Sequence, residues 1–145
     1  MNQRFSLNGQ PAPEQTLEAR KKTLVRDLQS EYEQVNKAWE EAIEWLRELP
    51  VLEGAEVTYW EDESGQYEQL LGYFKRGGEW TIFLGSRDRG FSDAAQSLDW
   101  KPILQCSMSE KTRALNGLNE LKAKVVEKGE QFVISRRRQR DDELF

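Results

Sequence analysis

The sequence predicts an α+β protein: a long N-terminal helix, an antiparallel β-meander of three to four strands, and a C-terminal helix. Three observations carry this. From Glu14 to Leu49 there is neither glycine nor proline, and apolar residues recur three and four apart. Between Glu56 and Leu84, short runs of β-branched and aromatic residues are separated by glycine-bearing turns. From Ser107 onward the helical spacing returns, behind a residue pattern that starts helices.

Residues 1–13 hold Asn8-Gly9 and Pro11-Ala12-Pro13 without periodicity, and are expected to form a mobile arm. Pro13 suits a first helical turn, where a missing N–H costs nothing. The first helix then places Leu17, Leu24, Leu28, Tyr32, Val35, Trp39, Ala42, Leu46 and Leu49 on one stripe. Pro50 closes it and Gly54 marks the next turn. At 1.5 Å per residue this helix would span roughly 54 Å. A compact chain of 145 residues has a radius of gyration of about 15 Å. A stripe that long needs a second surface, so the sequence predicts a homodimer joined through Leu24, Leu28, Tyr32 and Val35.

Three strands follow. The first covers Glu56–Trp60, the second Tyr67–Lys75 and the third Trp80–Leu84, with turns at 61–66 and at Gly77-Gly78. Leu70-Leu71, Tyr73-Phe74 and Ile82-Phe83-Leu84 put large side chains on both sides of the sheet. Both faces are therefore expected to be covered, with Trp60, Tyr73, Phe74, Trp80 and Phe83 largely buried. Gly85–Asp99 reads as a loop with a short helical turn over Asp93–Ser97. Trp100–Gln105 reads as a fourth strand, placed at an edge or shortened by Pro102. Ser107-Met108-Ser109-Glu110 has the capping-box form. Leu115, Leu118, Leu121 and Val125 line the following helix, which Gly117 and Gly129 weaken. A bend or stop is expected near Gly129, with resumption through Phe132 and Ile134. The organisation is thus an arm over 1–13, one α+β domain over 14–135, and a charged tail over 136–145.

Composition excludes several functions. No run of about 18 apolar residues is present, so no membrane contact is expected. The opening residues lack an apolar leader core, and the single Cys106 agrees with a reducing, cytoplasmic setting. The sequence has no histidine, which removes histidine-based nucleophilic catalysis. With one cysteine, zinc sites are removed as well. No phosphate-binding glycine motif occurs. The expectation is no enzyme activity, no catalytic or metal-ligating residue and no cofactor. The strongest catalytic pattern is Asp99-Trp100-Lys101, which with Asp62 would resemble a magnesium-dependent nuclease centre; it is short and frequent by chance. Ser92 and Cys106 lack a base and read as structural.

Charge is uneven. Glu31–Glu63 holds eleven acids against Lys37 and Arg47, a net of −9, which leaves +4 for the rest of a chain whose total is −5. Glu40, Glu41 and Glu44 are therefore candidate contacts for a partner protein with a basic surface. The plain alternative is a solvated helix face supported by a Glu33–Lys37 pair. Arg87, Arg89 and Phe91, read as loop residues, form a second candidate contact; the alternative is that Phe91 folds onto the sheet and the arginines pair with Asp88 and Asp93. Arg136, Arg137, Arg138 and Arg140 would touch phosphates, but Asp141, Asp142 and Glu143 offset them, and a pI near 5.0 argues against nucleic acid. The functional expectation is an interaction module of the inhibitor, adaptor or chaperone type. Nucleic-acid association ranks behind it and a metal-dependent nuclease third.

Overall fold

The computed structural model describes residues 16–89 and 99–143. The expected arm over 1–13, Phe91, Ser92 and the expected helical turn over 93–97 lie outside these residues. The described elements are helix α1 (Leu17–Arg47), strands β1 (Ala55–Glu61), β2 (Tyr67–Arg76), β3 (Glu79–Asp88) and β4 (Lys101–Pro102), and helices α2 (Met108–Ala114) and α3 (Leu118–Glu143). The strands form one antiparallel sheet in the order β1-β2-β3-β4. The fold is α+β, a helix followed by a four-stranded meander and C-terminal helices.

The chain's contacts separate into two units, one ending at Val35 and one beginning at Asn36. The described part of the first is helical, and none of its residues is buried. Leu17 is 77% exposed, Leu24 56%, and Val25, Leu28 and Tyr32 lie between 39% and 46%.

The second unit holds the core. Trp39, Ala42, Ile43 and Leu46 are buried along α1. The Trp39 indole donates to the Lys111 carbonyl at 3.0 Å, and Arg47 Nε donates to the Trp80 carbonyl at 2.7 Å. α1 ends at Arg47, two residues before the expected Leu49. The residue before a proline avoids helical backbone, and here Leu49 N–H closes a tighter turn onto Leu46 at 3.0 Å.

Register assigns the sheet faces, because directly opposed residues share one. Val57, Leu71 and Leu84 stand in one row, with Ala55, Tyr73 and Ile82 in the next. All six are buried, and α3 packs across β1 and β2. A bulge between Thr58 and Trp60 leaves Tyr59 as the extra residue of β1. The 3₁₀ turn Leu115–Gly117 meets this bulge: a Cβ on Gly117 would stand 2.6 Å from Tyr59 Cβ. Gly117 is therefore a close-approach residue, and the expected single helix is divided there into α2 and α3. The opposite face carries Leu70 and Phe83, also buried. There Gly72 and Gly85 leave a depression that the Trp100 indole fills. Trp100 meets Phe74 edge to face at 4.9 Å, and Phe74 lies 6.1 Å from Phe83.

The two-residue turn Gly77-Gly78 joins β2 to β3 with φ of +61° and +84°, the doubly left-handed geometry that suits a twisted hairpin. β3 is longer than expected, since Gly85–Asp88 continue the ladder opposite Tyr67–Leu70. The fourth strand is shorter. Only Lys101–Pro102 pair, because proline brings no N–H to the ladder, and Ile103–Gln105 turn into a 3₁₀ helix. The capping box forms as expected: Glu110 N–H donates to Ser107 Oγ at 3.2 Å, and Ser107 N–H to Glu110 Oε1 at 2.9 Å. No stop occurs at Gly129. α3 runs unbroken through it and through Arg136–Arg140 to Glu143. Of the five rings expected to be buried, Tyr73 and Phe83 are, Phe74 and Trp80 are half-buried, and Trp60 is 45% exposed.

Candidate functional site

The exposed stripe of α1 is the first candidate surface. Helical spacing puts Leu24, Leu28, Tyr32 and Val35 in line with Trp39, Ala42 and Leu46. Trp39, Ala42 and Leu46 are buried in the second unit, and Leu24, Leu28 and Tyr32 of the first are exposed. Val25 belongs to it as well, which the sequence reading missed. Val25, Leu28, Tyr32, Val35, Trp39, Ala42 and Leu46 alternate three and four apart, the spacing of a coiled-coil seam.

The acidic candidates are also on α1. Glu40, Glu41 and Glu44 are exposed, and Glu41 meets Lys37 at 3.9 Å. The helix pair is thus Lys37–Glu41, rather than the expected Glu33–Lys37. Both partners are about 70% exposed, so the contact is worth only a few tenths of a kcal/mol. Nearby, the Lys122 ammonium sits 5.0 Å from the Trp45 ring centre.

Arg87 and Arg89 occupy a different environment from the one expected. Arg87 is a β3 residue with its side chain 17% exposed, reaching Glu56 at 3.2 Å and Glu68 at 3.5 Å. Arg89 Nε reaches Glu68 at 2.8 Å, and the Arg89 N–H donates to the Gln66 carbonyl at 2.7 Å. Both arginines therefore converge on the buried Glu68; Asp93 lies outside the described residues. Breaking such a set strands a buried carboxylate, which is why these side chains are held in place. Phe91 lies outside the described residues.

The residues of the nuclease-like pattern have separate partners. Lys101 pairs with Glu110 at 3.6 Å, Trp100 packs on the sheet, and Asp62 is engaged in the β1–β2 turn. Although its slight burial acts the other way, the turn's hydrogen bonds, led by Tyr67 N–H, hold the Asp62 carboxyl below its usual range. Backbone and side-chain bonds to Ser107 do the same for Glu110. Burial pushes the Cys106 thiol up, and its Sγ lies 3.4 Å from the Pro102 carbonyl. Among the described residues, no group of three His, Cys, Asp or Glu side chains is placed to hold a metal ion. No described helix is long and apolar enough to cross a membrane.

A second surface was not legible from the sequence. An open groove of about 790 Å³ runs between the turn at 49–53 and α3. Leu52, Val126, Phe132 and Val133 give it an apolar lining, and the Lys128 ammonium donates to the Gly54 carbonyl at 2.9 Å. Leu52 is 74% exposed and Phe132 52%. Residues 49–53 read as a helix end followed by a turn, and nothing in their order predicts that α3 continues far enough to form the other wall.

The arginines of the C-terminal stretch are exposed on α3, with Arg136 donating to Gln139 at 2.8 Å. Comparison of the chain with protein-family models, with curated proteins and with solved structures found no match in any of the three.

Proposed function

We propose that the chain is a non-enzymatic protein-interaction module that self-associates through α1 and offers Glu40, Glu41 and Glu44 to a protein with a basic surface. One observation carries the reading. The apolar stripe that seats Trp39, Ala42 and Leu46 in the core continues through Val35, Tyr32, Leu28 and Leu24 without a buried residue. In proteins most helical stability comes from packing of an amphipathic face rather than from helix propensity, so an uncovered apolar face calls for cover.

The energetics suit a reversible dimer. Half-exposed Leu, Val and Tyr side chains each have about 1 kcal/mol of burial still to gain. Leu17, Leu24, Val25, Leu28 and Tyr32 in each of two copies would together gain about 10 kcal/mol. Association costs at least about 4 kcal/mol, leaving about 6 kcal/mol, or a Kd of tens of micromolar. Inhibitor, adaptor and chaperone roles all use such a module, and a cytoplasmic setting fits its single reduced thiol.

Sedimentation equilibrium tests the reading. The wild-type chain should approach twice its 17.0 kDa mass above this concentration, whereas Leu28→Glu with Val35→Glu should remain at one mass with the sheet still folded. A wild-type chain of single mass at several hundred micromolar would exclude self-association.

A further inference from the structure

We propose that the tip of the β1–β2 hairpin holds an arginine side chain of a basic partner protein against the open rings of Trp60 and Tyr67. This rests on the reading that the partner presents a basic surface, and adds to it a second point of contact and the group that occupies it. Two observations meet at the hairpin. The first is a pair of unpartnered rings. Trp60 stands opposite Gln69, and Tyr67 lies two residues before Gln69 on β2. Both side chains are therefore on the sheet face that further along carries Val57, Leu71 and Leu84. Diagonal cross-strand neighbours of this kind are about 7–8 Å apart, within reach of aromatic side chains. Trp60 is 45% exposed and Tyr67 49%. Among the described residues neither ring meets another ring or a cation. Neither the Trp60 indole N–H nor the Tyr67 hydroxyl makes a hydrogen bond there.

The second observation is charge. Between Glu48 and Phe74 there are seven acids and no base. Of these, Glu56 and Glu68 are held by Arg87 and Arg89. Glu61, Asp62 and Glu63, directly after Trp60, form no ion pair among the described residues. Arg113, whose charge reaches Tyr59 next to Trp60, lies over neither ring. A cation over an aromatic face is attracted by the ring's quadrupole, and three carboxylates within about 10 Å of chain add to that attraction. Elsewhere the chain fills such a ring from within: Trp45, 42% exposed, has the Lys122 ammonium 5.0 Å from its centre. Trp60 is as exposed as Trp45, and no described residue supplies its cation. Arginine fits the tip better than lysine, because a planar guanidinium stacks on a ring while its edge N–H groups still reach carboxylates.

The test is a titration of the full chain at low salt with a capped peptide of alternating glycine and arginine, followed by nuclear magnetic resonance. The Trp60 indole N–H and the backbone amides of Glu61–Tyr67 should shift and saturate together, and a glycine–glutamate peptide should shift neither. That response should persist in Glu40→Lys with Glu44→Lys. Trp60→Leu and Tyr67→Leu should each weaken binding about two- to fivefold, the worth of one exposed cation–π contact, and Trp60→Phe should weaken it less than Trp60→Leu. Trp60→Leu that binds as tightly as the wild type, or a glycine–lysine peptide that binds as tightly as the arginine one, overturns the arginine site. A peptide that leaves the hairpin unshifted and moves the amides of Glu40–Glu44 overturns the site while the acidic-face reading stands. A peptide that shifts neither segment overturns both contacts.

Discussion

Gly117 and Gly129 look alike as residues of a helical pattern, and the structure predicts opposite outcomes for the same substitution at each. A methyl on Gly117 would lie 2.6 Å from Tyr59 Cβ and 3.2 Å from Leu71 Cδ1. Ordinary carbon contacts are about 3.5–4.0 Å, so the turn must back away from the bulge by about 1 Å. Tyr59 and Leu71 belong to β1 and β2, and the nearer contact is to a Cβ, which moves only with its strand. Overpacking of this kind costs about 1–3 kcal/mol, against up to about 1 kcal/mol gained by replacing glycine with alanine in helical backbone. Gly117→Ala should therefore be destabilising by about 1–2 kcal/mol. At Gly129 the nearest atom to the added methyl is Val51 Cγ1 at 3.6 Å, an ordinary contact inside α3. Only the backbone gain remains, and Gly129→Ala should stabilise by about 0.5–1 kcal/mol. Urea unfolding followed by far-ultraviolet dichroism reads both. The two midpoints should move in opposite directions from the wild type. If Gly117→Ala were as stabilising as Gly129→Ala, the close packing of the turn on the bulge would be refuted.

Trp80→Ala should cost about 2 kcal/mol in the same assay, below the 3–5 kcal/mol of a fully buried ring, because Trp80 is half-buried although stacked on Tyr73 at 5.2 Å; a loss under 0.5 kcal/mol would contradict the stacking. Burial raises the Tyr59 phenol to about 12 and Tyr73 in the same direction. A phenol raised in the folded state contributes stability that is intact below the unfolded value near 10 and is lost as pH rises through the folded value. Stability should therefore fall between pH 10 and 12, and Tyr59→Phe should lessen that fall; an ultraviolet titration in which every tyrosine ionises near pH 10 would oppose this. Arg87→Met should destabilise by about 2–4 kcal/mol by stripping one partner from the buried Glu68 carboxylate, whereas Glu40→Lys with Glu44→Lys should change stability by less than 0.5 kcal/mol. With a captured basic partner, that double reversal should slow association and weaken its salt dependence, and an unchanged on-rate would remove the acidic face from the account.

Much of the architecture is legible in the residues because local chemistry and global fold agree there. Gly77-Gly78 dictates its turn, Ser107 and Glu110 dictate a helix start, and the three-and-four spacing of α1 holds throughout. The departures occur where tertiary contact overrides local pattern. Gly85 looks like a strand end and instead clears room for Trp100. Gly117 looks like a weak helical residue and is a point of contact with the sheet. Arg87 and Arg89 look like loop residues, because their common partner Glu68 lies on the neighbouring strand and sequence spacing cannot show cross-strand neighbours. Of the candidate surfaces, the α1 stripe and the acidic triplet follow from periodicity on one helix. The groove beside Leu52 and Phe132 depends on two segments far apart in sequence, and no local pattern reports it.

Amide hydrogen exchange as a function of protein concentration tests the central claim most directly. Amides of Leu24–Val35 have intrahelical bonds but, within one copy, no buried side chains to protect them. If a second copy covers the stripe, their protection should be flat well below the dissociation constant and rise about threefold for each tenfold increase in concentration above it, while amides of β2 and β3 stay unchanged. Exchange from Leu24–Val35 that is fast and identical from one micromolar to one millimolar would contradict the account.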